Sequence, residues 1–188
     1  MALKYNINIG KNGEYFYITD YMPKNKKGEK SSEFMKYSEM ILKYKKGDRQ
    51  TISFFTRLLS NIIYDYFYLY DLILPVPPSN SYLDVYPNGA VCLFLSAFGL
   101  IGTLDGAIVC SKGHRPGHID GIRAKKDDLK YISFKDRGNF ESKNIIIFDE
   151  IITTGATFGY IKEALLKRGA NSVIGLFLGK TAGGGKYL

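Results

Sequence analysis

The sequence predicts an α/β protein with a Rossmann-like parallel β-sheet that is flanked by helices. Four short apolar runs rich in β-branched residues lie at 72–76, 107–110, 145–148 and 173–178. Segments with helical spacing of apolar residues precede the first run and separate the last two, and this alternation is typical of a parallel sheet covered on both faces. With 188 residues, of which 45% are hydrophobic, the chain has the size and composition of one domain with its own core.

The N-terminal part predicts a hairpin and a solvated loop. Residues 5–21 alternate apolar and polar side chains around the turn sequence at 11–13, a pattern typical of a β-hairpin. The lysine-rich stretch 23–30 has the composition of a loop.

Two helices are expected next. Ser31 or Ser32 can cap the first, which runs to about Tyr44, and Gly47 ends it before Asp48 caps the second. Apolar side chains at helical spacing predict an inward face for each helix. They are Phe34, Tyr37, Ile41 and Tyr44 in the first helix and Ile52, Phe55, Leu58, Leu59 and Ile62 in the second.

The aromatic segment 64–70 has two interpretations. It could be a stacking platform for bases, or the amphipathic end of the second helix packed on the sheet. Because aromatic area is mostly used for burial, the second interpretation is favoured. The segment also makes a homodimer reasonable.

The second half of the chain predicts the sheet and the edge at which ligands bind. Residues 90–100 can form a helix, and a later helix places Phe158, Ile161, Ala164 and Leu165 inward and ends at Gly169. Ligands of such sheets bind beyond the carboxyl ends of the strands. The loops after Val76, Cys110 and Phe148 are therefore the expected binding region.

Composition limits the classes of partner. The formal net charge is +8, which is common among proteins with polyanionic partners but does not identify one. Cys92 and Cys110 are the only cysteines, each in an apolar stretch, and predict reduced core residues. No apolar run is long enough to cross a bilayer and no secretory signal follows the first lysine, so we expect a cytoplasmic protein with no membrane partner.

The stretch 144–157 carries the clearest chemical signal. Residues 145–148 predict a buried strand, with the carboxylates of Asp149 and Glu150 at its carboxyl end. Residues 153–157 then turn into a helix. Their three threonine hydroxyls, one glycine and the amide groups of the helix N-terminus suit a phosphate, whereas the two acids suit sugar hydroxyls or a Mg²⁺ ion shared with the phosphate. The order predicts a site for a sugar phosphate.

This stretch resembles the phosphoribosyl-pyrophosphate (PRPP) motif of the type I phosphoribosyltransferases. That motif has four hydrophobic residues, two acids, two hydrophobic residues and then Thr-Thr-Gly-x-Thr, which here are residues 145–148, 149–150, 151–152 and 153–157. The departure is an Asp-Glu pair where Asp-Asp or Glu-Asp is commonest.

A second resemblance points to the ComF-type branch. Residues 72–79 are similar to its Pro-Val-Pro segment, and residues 42–48 to its Lys-Tyr-x-Gly-Asp, with one residue more here. The branch's N-terminal cysteine zinc site is missing, and its arginine and asparagine signatures after the Pro-Val-Pro strand are not clear. The resemblance implies a single domain over 1–188, with a core over 48–180 and an N-terminal extension over 1–47 that forms a hood of hairpin and helices.

The resemblance also implies a role for each site residue. The 5′-phosphate would bind to Thr153, Thr154, Gly155, Ala156 and Thr157. Asp149 and Glu150 would contact the ribose hydroxyls and Mg²⁺, directly or through water. Pro78, Ser79 and Asn80 would contact the pyrophosphate.

The central loop 111–121 would close over the substrates. Lys112 and Arg115 suit stabilisation of the departing pyrophosphate. His114 and His118 are four residues apart, but the Arg-Pro-Gly between them argues against a helix that would bring both to one metal. A phosphate or substrate contact and a plain exposed loop both stay open for these histidines.

The predicted function is transfer of a 5-phosphoribosyl group from PRPP to a nitrogen acceptor, a nucleobase or an amine, with Mg²⁺ as cofactor. The alternative is an accessory or regulatory protein that binds PRPP or nucleotides and associates with nucleic acid through the lysines at 24–30, 43–46 and 125–126. The glycine-rich tail 182–188 favours a flexible terminus over an anion loop. The acceptor cannot be identified from the sequence.

Overall fold

The structure is a computed structural model that describes residues 7–22, 32–78, 86–104, 106–111, 129–135 and 139–182. Strands and helices alternate along most of this length. In chain order they are β1 Asn8–Ile9, β2 Tyr15–Tyr21, α1 Ser32–Lys45, α2 Arg49–Tyr66, β3 Leu72–Pro75, α3 Pro87–Ala97, β4 Ile108–Cys110, β5 Ile132–Phe134, β6 Asn144–Ile152, α4 Ala156–Leu166 and β7 Ser172–Thr181.

The main sheet has the strand order β1-β2-β7-β6-β3 and is parallel except for β1. The predicted α/β class with a mostly parallel sheet is therefore confirmed. The N-terminal hairpin is also confirmed, and its strand β2 joins the main sheet, where Tyr15 pairs with Gly175. The division into a hood over 1–47 and a core over 48–180 stays a prediction.

The prediction was wrong for the run at 107–110. It forms β4 but pairs antiparallel with β5 in a separate two-stranded sheet, and β5 was not predicted. The chain touches the main sheet earlier, where Gly102 forms an isolated parallel bridge with Leu72 beside β3. It then leaves that edge, so the hydrogen-bonding groups of β4 are taken by β5 instead.

The first two helices form as the sequence predicts. Gly47 adopts a φ of 83° between them, a conformation that glycine accommodates without strain. The Asp48 carboxylate then accepts a hydrogen bond from the Thr51 amide at 2.9 Å, which satisfies one of the free donors at the start of α2. The predicted inward side chains Phe55, Leu58, Leu59 and Ile62 are buried.

Two helix predictions need comment. Helix α3 starts at Pro87, earlier than the predicted Ala90, because proline at the first helical position has no amide hydrogen to satisfy. Helix α4 buries Phe158, Ile161 and Leu165 as predicted, leaves Ala164 half-buried, and is followed by Gly169 with a φ of 87°.

The aromatic segment 64–70 is largely exposed, so the prediction that it packs on the sheet holds only in part. Phe67 is buried and packs edge-on against Phe16 of β2, with ring centroids 5.1 Å apart. Its neighbours remain exposed because α2 ends at Tyr66 and the chain then turns towards β3. The exposed apolar side chains are Tyr64, Tyr66, Tyr68 and Leu69.

Each face of the main sheet carries its own apolar cluster. Alternate residues of β6 enter the two clusters: Ile146 and Phe148 pack with α1, α2 and α3, while Ile145 and Ile147 pack with α4 and β4. The sheet is thus covered on both faces, as predicted. Within the described residues, no helix is long and apolar enough to cross a membrane.

Candidate functional site

The two acids of the sequence motif lie inside β6 rather than after it. The sequence predicts a strand of four residues, but β6 has nine and continues to Ile152. The reason is that β7 runs beside it, with Asp149 opposite Phe177 and Ile152 opposite Lys180. The carboxylates are consequently held by the sheet itself, near its carboxyl edge.

Asn88 links the two carboxylates. Its side-chain amide nitrogen donates to Asp149 Oδ1 at 3.2 Å and to Glu150 Oε2 at 2.9 Å. Asn88 lies in the first turn of α3 and is only 4% exposed. Since a buried amide is held by its partners, Asn88 fixes the orientation of both acids.

Helix α1 supplies two further members of this network from its last turn. The Tyr44 hydroxyl donates to Asn88 Oδ1 at 2.9 Å and so fixes the direction in which the amide points. The Lys45 ammonium lies 2.8 Å from Glu150 Oε1. We call Tyr44, Lys45, Asn88, Asp149 and Glu150 the acid-pair network.

The pKa values of the two acids in this network shift in opposite directions. Burial and the neighbouring charge of Glu150 raise the pKa of Asp149 well above its usual range. Burial opposes ionisation of Glu150 too, but hydrogen bonding with Asp149, the charge of Lys45 and the Asn88 amide hold the Glu150 pKa at about 2. Glu150 is therefore the acid of the pair that ionises more readily, and Lys45 is its ion-pair partner.

The threonine turn follows directly, and it is open to solvent. Gly155 has a φ of 79° and is the N-cap of α4, and as a glycine it has no side chain with which to cap that end. The Ala156 amide approaches Thr154 Oγ1 at 3.4 Å. The first amides of a helix have no intrahelical acceptor, so this end of α4 can receive an anion.

The end of β3 lies beside the acids. The Val76 amide donates to the Phe148 carbonyl at 2.9 Å, which places Pro77 and Pro78 at the same edge of the sheet as Asp149. A cavity of about 250 Å³ opens there towards β4. Its wall includes Pro78, Val109 and Tyr86, and the Tyr86 hydroxyl donates to the Val76 carbonyl.

The structure brings together most of the predicted site. Asp149 and Glu150 precede the turn of Thr153, Thr154, Gly155, Ala156 and Thr157, and Pro78 follows the adjacent strand. The remaining predicted contacts lie outside the described residues. These are Ser79, Asn80, Lys112, Arg115, His114, His118 and residues 183–188 of the tail.

Sequence reasoning missed Tyr44, Lys45 and Asn88 as members of the site. For Tyr44 and Lys45 the sequence offers a signal, because the segment 42–48 resembles a segment of the ComF-type branch. No such signal marks Asn88. Of the lysines at 43–46, Lys45 is thus engaged with an acid rather than displayed to a partner.

The donor set fits a divalent cation that is shared with a substrate. Among the described residues no cluster of three or more histidine, cysteine or acidic side chains could hold a metal by itself. Mg²⁺ is commonly bound through one or two carboxylates together with substrate phosphates. Asp149 and Glu150, which lie shortly before a turn whose amides could receive an anion, offer two carboxylates of this kind.

Comparison with known proteins gives similar solved structures only. No protein-family model and no curated protein matches the sequence. A hypoxanthine phosphoribosyltransferase variant of Trypanosoma cruzi in a ternary complex with substrates is 15% identical, with a TM-score of 0.45 over 78% of this chain and 70% of that one.

Two further structures are similar to the same extent. Another structure of Trypanosoma cruzi hypoxanthine phosphoribosyltransferase is 16% identical, with a TM-score of 0.43 over 77% of this chain and 66% of that one. An HPRT in which an invariant aspartic acid is changed to glutamic acid is 15% identical, with a TM-score of 0.44 over 78% and 70%. At such values the function has to be argued from this chain's own residues.

Proposed function

We propose that this protein is a phosphoribosyltransferase that binds PRPP with Mg²⁺ and transfers the 5-phosphoribosyl group to a nitrogen acceptor, with release of pyrophosphate. The observation that carries the proposal is the acid pair inside β6, followed at once by an open threonine turn at the start of α4. The phosphate of a phosphorylated sugar can bind the turn while the hydroxyls of the sugar reach the acids.

The turn 153–157 would hold the 5′-phosphate. Its amides at the N-terminus of α4 carry partial positive charge, and its threonine hydroxyls can donate to phosphate oxygens. Gly155, at a φ of 79°, allows the backbone to approach the phosphate without a side chain in the way.

Asp149 and Glu150 would accept hydrogen bonds from the ribose hydroxyls. The Asn88 amide keeps both carboxylates in place before the sugar arrives, so little orientation is lost on binding. When bound, Mg²⁺ would neutralise the pyrophosphate oxygens as negative charge develops on them. Lys112 or Arg115 would supply further positive charge to this leaving group.

The residues after β3, Pro78, Ser79 and Asn80, would contact the pyrophosphate. Pro78 also borders the cavity of about 250 Å³ that opens towards β4. The acceptor would be a nucleobase or an amine, covered by the N-terminal hood, and a homodimer is consistent with the exposed aromatic side chains of segment 64–70.

Within the superfamily we place the protein in the ComF-type branch. The support is that the segment 42–48, which resembles that branch, contributes Tyr44 and Lys45 to the acid-pair network. The PRPP motif and the segment 42–48, which resemble family sequences independently, thus contribute residues to the same network.

The test is release of pyrophosphate from PRPP in the presence of Mg²⁺, with purine bases, pyrimidine bases, nicotinamide and ammonia offered one at a time. We expect release that depends on one acceptor and on Mg²⁺. A matched reaction without acceptor measures hydrolysis, and calorimetry measures PRPP binding. Absence of PRPP binding would overturn the proposal, whereas binding without turnover on the whole panel would overturn the transferase activity and leave a PRPP-binding protein.

A further inference from the structure

Lys45 occupies a position that a metal ion bound to the acid pair would also need. Its ammonium is 2.8 Å from Glu150 Oε1, and the other carboxylate oxygen, Oε2, is taken by the Asn88 amide at 2.9 Å. Asp149 Oδ1 in turn accepts from Asn88 and from the Glu150 backbone amide. A cation that binds Glu150 therefore has to share a carboxylate oxygen with one of these donors or displace it.

Lys45 is the donor that can leave. Asn88 is 4% exposed and is held on its far side by the Tyr44 hydroxyl, so its movement would break a buried hydrogen bond. The Lys45 side chain is 38% exposed, has a flexible stem and is held at its tip by the ion pair with Glu150. A lysine ammonium is strongly hydrated and can exchange this ion pair for water.

Electrostatics favour displacement of Lys45 over sharing. A divalent cation and an ammonium that share one carboxylate would lie a few ångströms apart and repel each other strongly in a half-buried site. We infer that Lys45 is an internal counter-ion that holds the place of the divalent cation on Glu150, and that the two occupy this carboxylate in alternation. This inference rests on the proposed role of the acid pair in binding a cation.

The exchange gives Lys45 a defined effect on the site. In the absence of a metal it neutralises Glu150 and lowers the affinity of the acid pair for free cations. When the cation arrives with its substrate, the ammonium swings outward from the last turn of α1. Lys45 thereby acts on cation binding, and its neighbours Lys43 and Lys46 do not, because both are exposed and line the connection between α1 and α2.

The first test uses the unmodified chain. An amine-acetylating reagent is applied with and without Mg²⁺, and the acetylated fraction of each lysine is read by mass spectrometry. We expect Mg²⁺ to increase acetylation of Lys45 several-fold while acetylation of Lys43 and Lys46, the internal controls, stays constant. Equal acetylation of Lys45 with and without the metal, at concentrations where Mg²⁺ binds, would overturn the inference.

The second test measures Mn²⁺ binding by electron paramagnetic resonance. Lys45→Met should bind Mn²⁺ about tenfold more tightly than the unmodified chain, because a positive charge next to the cation is gone. Lys46→Met is the matched control and should change nothing. In a Glu150→Gln background, Lys45→Met should lose its effect, which would show that the two side chains act on one site. Unchanged binding in folded Lys45→Met, or no Mn²⁺ binding by any variant, contradicts the inference.

Failure of this inference is distinguishable from failure of the proposed function. If the unmodified chain releases pyrophosphate from PRPP with Mg²⁺ while Lys45 acetylation is insensitive to the metal, the function stands and the exchange is refuted. If Lys45 responds to Mg²⁺ but PRPP does not bind, the acid pair is a cation site of another function. If Lys45→Met does not fold, the acetylation experiment decides.

Discussion

The two ends of the β3–β6 strand pair each hold an aspartate, and they hold it in opposite ways. At the amino end, Asp71 accepts from the Asn144 backbone amide at 2.8 Å and contacts Lys143 at 3.4 Å. Its pKa is lowered, chiefly by that backbone hydrogen bond. At the carboxyl end, Asp149 shares a buried site with a second acid, and its pKa is raised well above the usual range.

The contrast separates a structural carboxylate from an acid pair that we propose to be functional. Asp71 is partly exposed and links the starts of two strands. Its charge is stabilised by the Asn144 amide and by Lys143. Asp149 and Glu150 are two acids placed side by side, which is unfavourable unless other groups compensate. Three elements, α1, α3 and β6, supply the compensating hydrogen bonds and positive charge. Strongly shifted pKa values of this kind are typical of functional sites.

Changing the two acids at the carboxyl end of the β3–β6 strand pair should have the largest effect. Asp149→Asn combined with Glu150→Gln keeps the shape of both side chains but removes the charge that would bind ribose hydroxyls and metal. We expect turnover of PRPP to fall by at least about 100-fold, as when reacting groups lose their positions. Circular dichroism should show an intact fold. Glu141→Gln, at an exposed acid, is the control, and normal activity in the double variant would refute the site assignment.

Removing the group that joins the acids should weaken both stability and activity. Asn88→Leu removes the acceptor of the Tyr44 hydroxyl and one donor to each carboxylate, and buried groups that lose a partner in this way cost about 2–3 kcal/mol of unfolding free energy. Tyr44→Phe removes a single hydroxyl and should cost about 1 kcal/mol. Urea unfolding measures both. Equal stability of Asn88→Leu and the unmodified chain would show that the acid-pair network does not need Asn88.

The open turn should respond through substrate affinity. Gly155→Val forces a β-branched residue into a φ of 79°, where side chains are strained by about 1–2 kcal/mol. Because this strain distorts the turn that would hold the phosphate, the KM for PRPP should rise by about tenfold with a smaller change in kcat. Gly159→Ala lies on the same helix, where an added Cβ meets nothing within 4 Å, and should leave both constants unchanged. A kcat effect alone would argue that the turn does not bind the phosphate.

Changing Asp71, at the amino end of the β3–β6 strand pair, should affect stability alone, and the size of the effect should depend on pH. Because the folded pKa of Asp71 is below its unfolded value, its charge stabilises the fold above the unfolded pKa of about 3.9 and this contribution is lost as the pH falls through the folded value. We expect Asp71→Asn to be less stable than the unmodified chain at neutral pH, with the difference shrinking as the pH falls below about 4. Its PRPP turnover should be normal. A difference that persists unchanged in acid would exclude the charge as its cause.

Local patterns were sufficient for most of the fold. The strands β3, β6 and β7 and the helix α4 are visible in the sequence because burial of continuous apolar runs and helical spacing are properties of neighbouring residues. The pairing of β4 could not be predicted, because it depends on whether this part of the chain pairs with the edge of the main sheet at β3 or with the later strand β5. Such pairing choices are non-local.

The same distinction applies to the site. The acids and the threonine turn are contiguous in the chain and could be predicted together. Asn88 reaches Glu150 across 62 residues and Tyr44 across 44, so nothing in its own surroundings marks it as a partner of the acids. The residues that tune the acid pair become visible only when α1 and α3 are packed against β6.

The pairing of β2 with β7 has a consequence for biosynthesis. Tyr15 aligns with Gly175, so the N-terminal hairpin leaves the ribosome long before the strand that receives it. At about 5–20 residues per second, the wait is roughly 10 to 30 seconds. A two-stranded hairpin is barely stable alone in water. Nascent chains stalled before residue 172 should therefore expose this hairpin to chaperones and proteases, and the sheet closes only when β7 emerges to join both neighbours.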